Sequence, residues 1–209
     1  MDLGYPRHRA LWASLGPRVS TDDLAHDGDH VLRVYAWAVR LAPEAGADPD
    51  LAGAAALVHD LDPIPKESAD RALGGERAAL AALPLLLEAG YSEAEIAEIQ
   101  AAVASSSWSR GRAPAGPVGV VLQDADRLDA IGAIGVARTF ATAQGMASRG
   151  TAGRLWEPQD PFASSGRALD DRRQAVDHFA RKLLKLAAGM HTPSARAEAA
   201  TLSSLNTRG

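Results

Sequence analysis

Seven residues, Ala55-Ala56-Leu57-Val58-His59-Asp60-Leu61, constrain this chain more than any others. They read as the end of an apolar helix that stops on a histidine and an aspartate side by side. A buried charge is costly unless it is paired or bound to a metal. The imidazole and the carboxylate therefore need a partner, either each other at a hydrogen-bonded helix end or a shared cation. The dipeptide alone does not choose between these. Its company favours the cation, because His30 lies upstream and Asp124 and Asp126 lie downstream.

The rest of the composition fits a helical host for such a site. The chain has 209 residues, within the range of one domain carrying an extension. It is 46% hydrophobic but only 5% aromatic, and much of the apolar content is alanine. Runs of β-branched and aromatic residues, the signal for strands, are nearly absent. The expectation is an all-α protein. With no cysteine, disulfides, zinc–thiolate sites and thiol nucleophiles are excluded, which fits a cytoplasmic protein. The N-terminus lacks the basic start and apolar core of a signal peptide. No apolar run is long enough to span a bilayer. A net charge of −4 gives no electrostatic case for a nucleic-acid polymer as partner.

Taken in order, residues 6–15 read as a short helix stopped by Gly16-Pro17. His26-Asp27-Gly28-Asp29-His30 leads into a helix whose stripe is Val31, Val34, Tyr35 and Ala38. Pro43 to Pro49 reads as a loop, and Asp48-Pro49 as the cap and first turn of the next helix. A helix from about Gly75 to Ala89 carries Pro84, where a kink or break is expected. Ser92 with Glu95 is a capping box. A helix follows from Val118, and a further one runs from Gly132 to about Gln144. An amphipathic helix is expected over Asp170–Leu186, and a last short one from Thr192-Pro193. His8 and His191 read as surface residues, and His178 as equally suited to the core. Trp108, Trp156 and Phe162 either pack under a loop or stack on a base.

The first two long helices bear on the site. A loop of about seven residues makes them antiparallel neighbours. His30 and His59 are each about ten residues from that loop, or roughly 16 Å along each axis at 1.5 Å per residue. The two imidazoles should therefore reach the same level of the hairpin and can share an ion.

The ordered set His30, His59-Asp60 and Asp126 resembles the HD-domain metal-dependent phosphohydrolases, whose signature is H…HD…D on a bundle of helices. The likeness extends over His26–Val34, over Leu122–Gly135 (LQDADRLDAIGAIG) and over Asp160-Pro161-Phe162 through Leu186, so it covers about residues 20–190. These later motifs are similar to a bacterial subgroup that includes manganese-dependent nucleotide pyrophosphohydrolases. The resemblance implies an HD-domain helical bundle over residues 1–209, with a metal-binding core at about 20–145 and a C-terminal helical extension at about 165–205. Ser106 stands where members carry a histidine, which argues for a single ion.

It further implies that His30, His59, Asp60 and Asp126 hold one divalent metal ion. Asp124 competes for the fourth place but would point about 200° around the helix from Asp126. Two imidazoles and two carboxylates suit Mn²⁺ first, with Fe, Co, Ni, Mg or Zn as alternatives. Asp62, Asp27 and Lys66 are the candidates for acid–base work. Arg33, Lys66, Lys182 and Lys185 are the candidates for holding phosphates. Arg127 reads as the salt-bridge partner of a ligand carboxylate. The implied reaction is hydrolysis of a (deoxy)nucleoside triphosphate to monophosphate and pyrophosphate. A phosphatase or phosphodiesterase on another small phosphate ester, or a nucleotide-sensing module without turnover, are the alternatives. The partner is a small-molecule nucleotide or phosphate ester, with no membrane and with a homodimer left open.

Overall fold

In the computed structural model, which describes residues 3–19, 23–62, 64, 68, 70, 73–107, 111–150 and 154–205, the alanine-rich segment becomes helix α3 (Pro49–Val58). Asp48 caps it, accepting from the Asp50 N–H at 2.8 Å, with Pro49 in the first turn. Every residue from Leu51 to Val58 is buried, as expected of a helix that is apolar all round. Ala52, Ala54, Ala55 and Ala56 have no exposed surface. Their small side chains let neighbouring helices approach closely on all sides.

Those neighbours are α1 (Pro6–Leu15), α2 (Gly28–Ala45), α5 (Glu93–Ala104) and α6 (Gly116–Asp129). Helix α2 packs most extensively on α3 and α6. Helix α4 (Gly74–Glu88) pairs with α5. The interior is filled by Val34, Leu41, Leu86, Ile99, Val121 and Leu122. Helix α7 (Gly132–Ser148) follows α6 after a short turn. A π-helical turn (Phe179–Leu183) leads into α8 (Leu184–Leu186), and α9 (Pro193–Leu205) closes the chain against α6 and α7. No strand forms among the described residues, so the expected all-α architecture is found. None of their helices is long and apolar enough to cross a membrane.

Several boundaries differ from the sequence expectation. Helix α2 does not stop at Pro43 but continues to Ala45. It ends at Gly46, whose φ of 68° lets its N–H turn back to the Ala42 and Pro43 carbonyls. Helix α4 carries Pro84 without interruption, and α7 runs four residues past Gln144. The largest difference lies at Asp170–Leu186, where turns persist to about Val176 and helix begins only near Asp177. Here the backbone bonds are taken crosswise: Arg154 donates to the Arg173 carbonyl at 2.9 Å and Ala175 to the Arg154 carbonyl at 3.1 Å. Asp177 accepts from the Asp170 N–H and from both Arg167 terminal nitrogens, anchoring the turns ahead of the helix.

His8 is not a surface residue. It is fully buried, with Nδ1 3.0 Å from the Tyr35 hydroxyl and Nε2 2.8 Å from the Asp50 carbonyl. Its room comes from Gly53, where a Cβ would sit 2.4 Å from the imidazole. His191 is half-buried, and its N–H donates to Asp124 at 2.8 Å. A polar residue next to a short helix looks solvated in sequence, and only packing shows otherwise. Trp156 and Phe162 are exposed, and Trp108 lies outside the described residues.

Candidate metal centre

The α2–α3 hairpin sets two imidazoles side by side. His30 sits in the first turn of α2, where Asp27 caps the helix by accepting from the His30 N–H at 2.9 Å. His59 follows the last residue of α3. Their ring centroids are 5.2 Å apart, at the same level of the hairpin. The chain turns after His59 and presents Asp60, while α6 presents Asp126 from the opposite side. Asp60 Oδ2 lies 3.4 Å from His30 Nε2 and 3.7 Å from His59 Nε2. Asp126 Oδ1 lies 3.9 and 4.0 Å from the same two nitrogens.

Both rings are oriented by what their Nδ1 atoms touch. His59 Nδ1 is 2.7 Å from the Ala56 carbonyl, which accepts only, so Nδ1 carries the hydrogen. His30 Nδ1 is 2.8 Å from Asp129 Oδ2 and donates to that carboxylate. In each case Nε2 is left facing the two aspartates. His59 Nε2 is buried and has no hydrogen-bond partner among the described residues, a costly state for a polar atom. His30, His59 and Asp60 each offer one ligand atom, and these lie within 4.8 Å of one another, near enough to hold an ion.

Charge sharpens the picture. Burial opposes ionisation of Asp60, but His59 and His30 outweigh it and hold the carboxyl well below the usual carboxylate range. Asp126 is lowered in the same way by His59, His30 and the Lys182 ammonium. Burial also opposes protonation of His30, but its hydrogen bonds to Asp129 and Asp60 win and push it up to about 9. Both ligand carboxylates keep about a third of their surface exposed, so the cluster opens to solvent on the acid side.

The other sequence candidates fall unevenly around it. Asp27 is the helix cap beneath His30. Asp62, in a left-handed conformation with φ of 54°, is exposed and pairs with Arg77 of α4 at 2.8 Å. Arg33 is bound to Asp129 through Nε at 2.6 Å and Nη2 at 3.2 Å. Lys182 is half-buried near Asp126, whereas Lys185 is exposed. Lys66 lies outside the described residues. Asp124 is fully buried and accepts from the Thr192 N–H and hydroxyl at 2.8 and 2.9 Å, which fixes the start of α9. Arg127 departs from its expected role: it bonds the Gly189 carbonyl and Gln123 rather than a ligand carboxylate.

Two residues were missed. Asp129, three positions after Asp126 and thus on nearly the same helix face, holds His30 while accepting from Arg33 and from Arg138 Nη1 at 2.7 Å. Spacing on α6 could have found Asp129. Nothing local identifies Arg138, which arrives from α7.

The HD domain family model matches residues 27–131, a stretch holding all four candidate ligands. An uncharacterised protein of Bacillus subtilis (strain 168), YpgQ, is 32% identical over 183 residues, 85% of this chain and 78% of its own length. The crystal structure of YpgQ in complex with ADP superposes with a TM-score of 0.67 at 28% identity, covering 95% of this chain and 91% of that one. A Lactobacillus plantarum crystal structure reaches a TM-score of 0.74 at 30% identity, over 99% and 95% of the two chains. An HD-superfamily hydrolase of Bacillus thuringiensis gives 0.61 at 27% identity, over 95% and 88%. With its histidines paired across one hairpin, and its match running from the cap of α2 to the end of α6, this chain belongs to the HD domain family and has the fold of the HD-superfamily hydrolases.

Proposed function

We propose that this protein is a metal-dependent phosphohydrolase acting on nucleotides, cleaving a (deoxy)nucleoside triphosphate to monophosphate and pyrophosphate. His30, His59, Asp60 and Asp126 hold one divalent ion. The observation that carries the metal assignment is the buried, unpartnered Nε2 of His59, aimed with His30 Nε2 at two ionised carboxylates. The residues fit such an ion. Their mixed nitrogen and oxygen donors, with no thiolate, suit Mn²⁺, Fe²⁺, Co²⁺ or Ni²⁺, and Mn²⁺ is the first choice. When bound, the ion supplies Lewis acidity toward a phosphoryl group and lowers the pKa of water there.

The chain's own groups do the rest. Asp129 and the Ala56 carbonyl keep both imidazoles turned with Nε2 inward. Lys182, whose charge is felt at Asp126, supplies a cation for the substrate's other phosphates. Support for a nucleotide comes from the related YpgQ, whose crystal structure is a complex with ADP.

The test is a nucleotide panel with metal-stripped protein and added Mn²⁺, in which pyrophosphate and orthophosphate are measured separately. Pyrophosphate release from a triphosphate is the expected result. Orthophosphate alone would make the protein a phosphatase instead.

A further inference from the structure

Arg138 reaches from α7 back to the metal centre, and two of its three guanidinium nitrogens are committed. Nε donates to the Ala25 carbonyl and Nη1 to Asp129 Oδ2, each at 2.7 Å. The third nitrogen, Nη2, has a poorer neighbour, the Nε2 atom of His30 at 3.5 Å. His30 Nδ1–H is already given to Asp129, so the Nε2 lone pair is what a cation takes. A lone pair bound to a cation no longer accepts from an arginine. Nη2 then keeps its N–H groups at the edge of the cluster, on a side chain only 14% exposed.

Charge points the same way. Asp60 and Asp126 balance a divalent ion between neutral imidazoles, while Asp129 faces two guanidiniums, Arg33 and Arg138. Arg33 also lies in the field of Asp27 and Asp29. Arg33 binds Asp129 through two nitrogens and serves as its anchor. Arg138 is anchored at two points with a third aimed inward. A planar donor fixed in this way loses little freedom on meeting an anion, and its hydrogen bond to one is charge-assisted.

Building on the metal reading above, we propose that Arg138 binds a phosphoryl oxygen of the substrate through Nη2. It holds that group against the centre formed by His30, His59, Asp60 and Asp126. Arg138, rather than Arg33, is then the arginine that recognises the phosphate.

The experiment compares wild type, Arg138→Met and Arg138→Lys. Mn²⁺ affinity is read from free Mn²⁺ by electron paramagnetic resonance, ADP affinity of the Mn²⁺-loaded protein by calorimetry, and folding by thermal melting. Arg138→Met should take up Mn²⁺ within about threefold of wild type yet bind ADP at least about tenfold more weakly, the size of a lost charge-assisted bond. Arg138→Lys keeps the charge without the fork and should fall between. Should Arg138→Met not fold, Arg138→Lys decides by the same two affinities. Unchanged ADP affinity overturns the assignment, as does a joint loss of Mn²⁺ and ADP binding, which would make Arg138 a positioning residue acting through Asp129. A wild-type protein that takes up no Mn²⁺ overturns the metal reading itself, and this assignment with it.

Discussion

The two ends of α3 each gather buried histidine and carboxylate, and they do opposite things with them. At the N-terminal end His8, Asp50, Arg7, Tyr91 and Glu95 form a closed network. Both His8 nitrogens have partners, and Asp50 accepts from Arg7 at 2.7 Å and from Tyr91 at 2.8 Å. Burial keeps His8 below the usual imidazole range, hence neutral. At the C-terminal end His59 Nε2 lacks a partner and two carboxylates stand open to solvent. A satisfied polar network fixes a fold. An unsatisfied one that survives burial marks where a ligand belongs. Residue type does not separate the two ends; the count of unmet hydrogen bonds does.

Substitutions at both ends can break that contrast. The largest effect is expected from His59→Ala or Asp60→Ala, each abolishing metal uptake and turnover while helical content by circular dichroism is retained. Full metal occupancy in either variant would count against the assignment. Asp50→Ala should do the reverse, removing the carboxylate to which Arg7 and Tyr91 donate. A loss of roughly 2–4 kcal/mol in urea unfolding is expected, with metal stoichiometry unchanged. Gly53→Ala, whose Cβ would collide with His8, should cost about 1–3 kcal/mol by overpacking. Asp27→Ala removes the cap beneath His30 and should cost about 1 kcal/mol.

A pH dependence peculiar to the open end is expected as well. In metal-free protein His30 has its proton affinity raised on folding, from 6.5 to about 9. Its contribution to stability is therefore complete below about pH 6.5 and is lost as pH rises through 9. Melting temperature of the metal-free protein should fall across that window. Metal affinity should rise across it, since the ion must displace the His30 proton. A metal-free melting temperature that is flat between pH 6.5 and 9 would contradict the raised affinity.

Much of this was legible in the chain because it rests on local periodicity. The apolar run into His59, the Asp48-Pro49 start and the Ser92–Glu95 capping box are local signals, and each forms as expected. The expected meeting of His30 and His59 rested on a loop of about seven residues; with α2 running on to Ala45 the connection is only residues 46–48, yet the two rings stand 5.2 Å apart. The region over Asp170–Leu186 was misread because its amphipathic pattern competes with the Arg167–Asp177 and Arg154–Gln174 pairings, whose partners Arg154 and Arg167 lie outside that stretch. His8 was misplaced for a similar reason, since its burial depends on a glycine 45 residues away.

By itself the sequence determined that the chain is helical, that an apolar helix ends on His59 and Asp60, and that two imidazoles could meet at one end of a hairpin. These follow from side-chain size and the pitch of a helix, which act over a few turns. The resemblance already favoured Asp126 over Asp124; tertiary structure decided what Asp124 does instead, accepting from Thr192 at the start of α9. It also decided that Asp129 and Arg138 gather behind His30. Hydrogen bonds and charges act between groups adjacent in space, and only the packing of α2, α6 and α7 makes these groups adjacent.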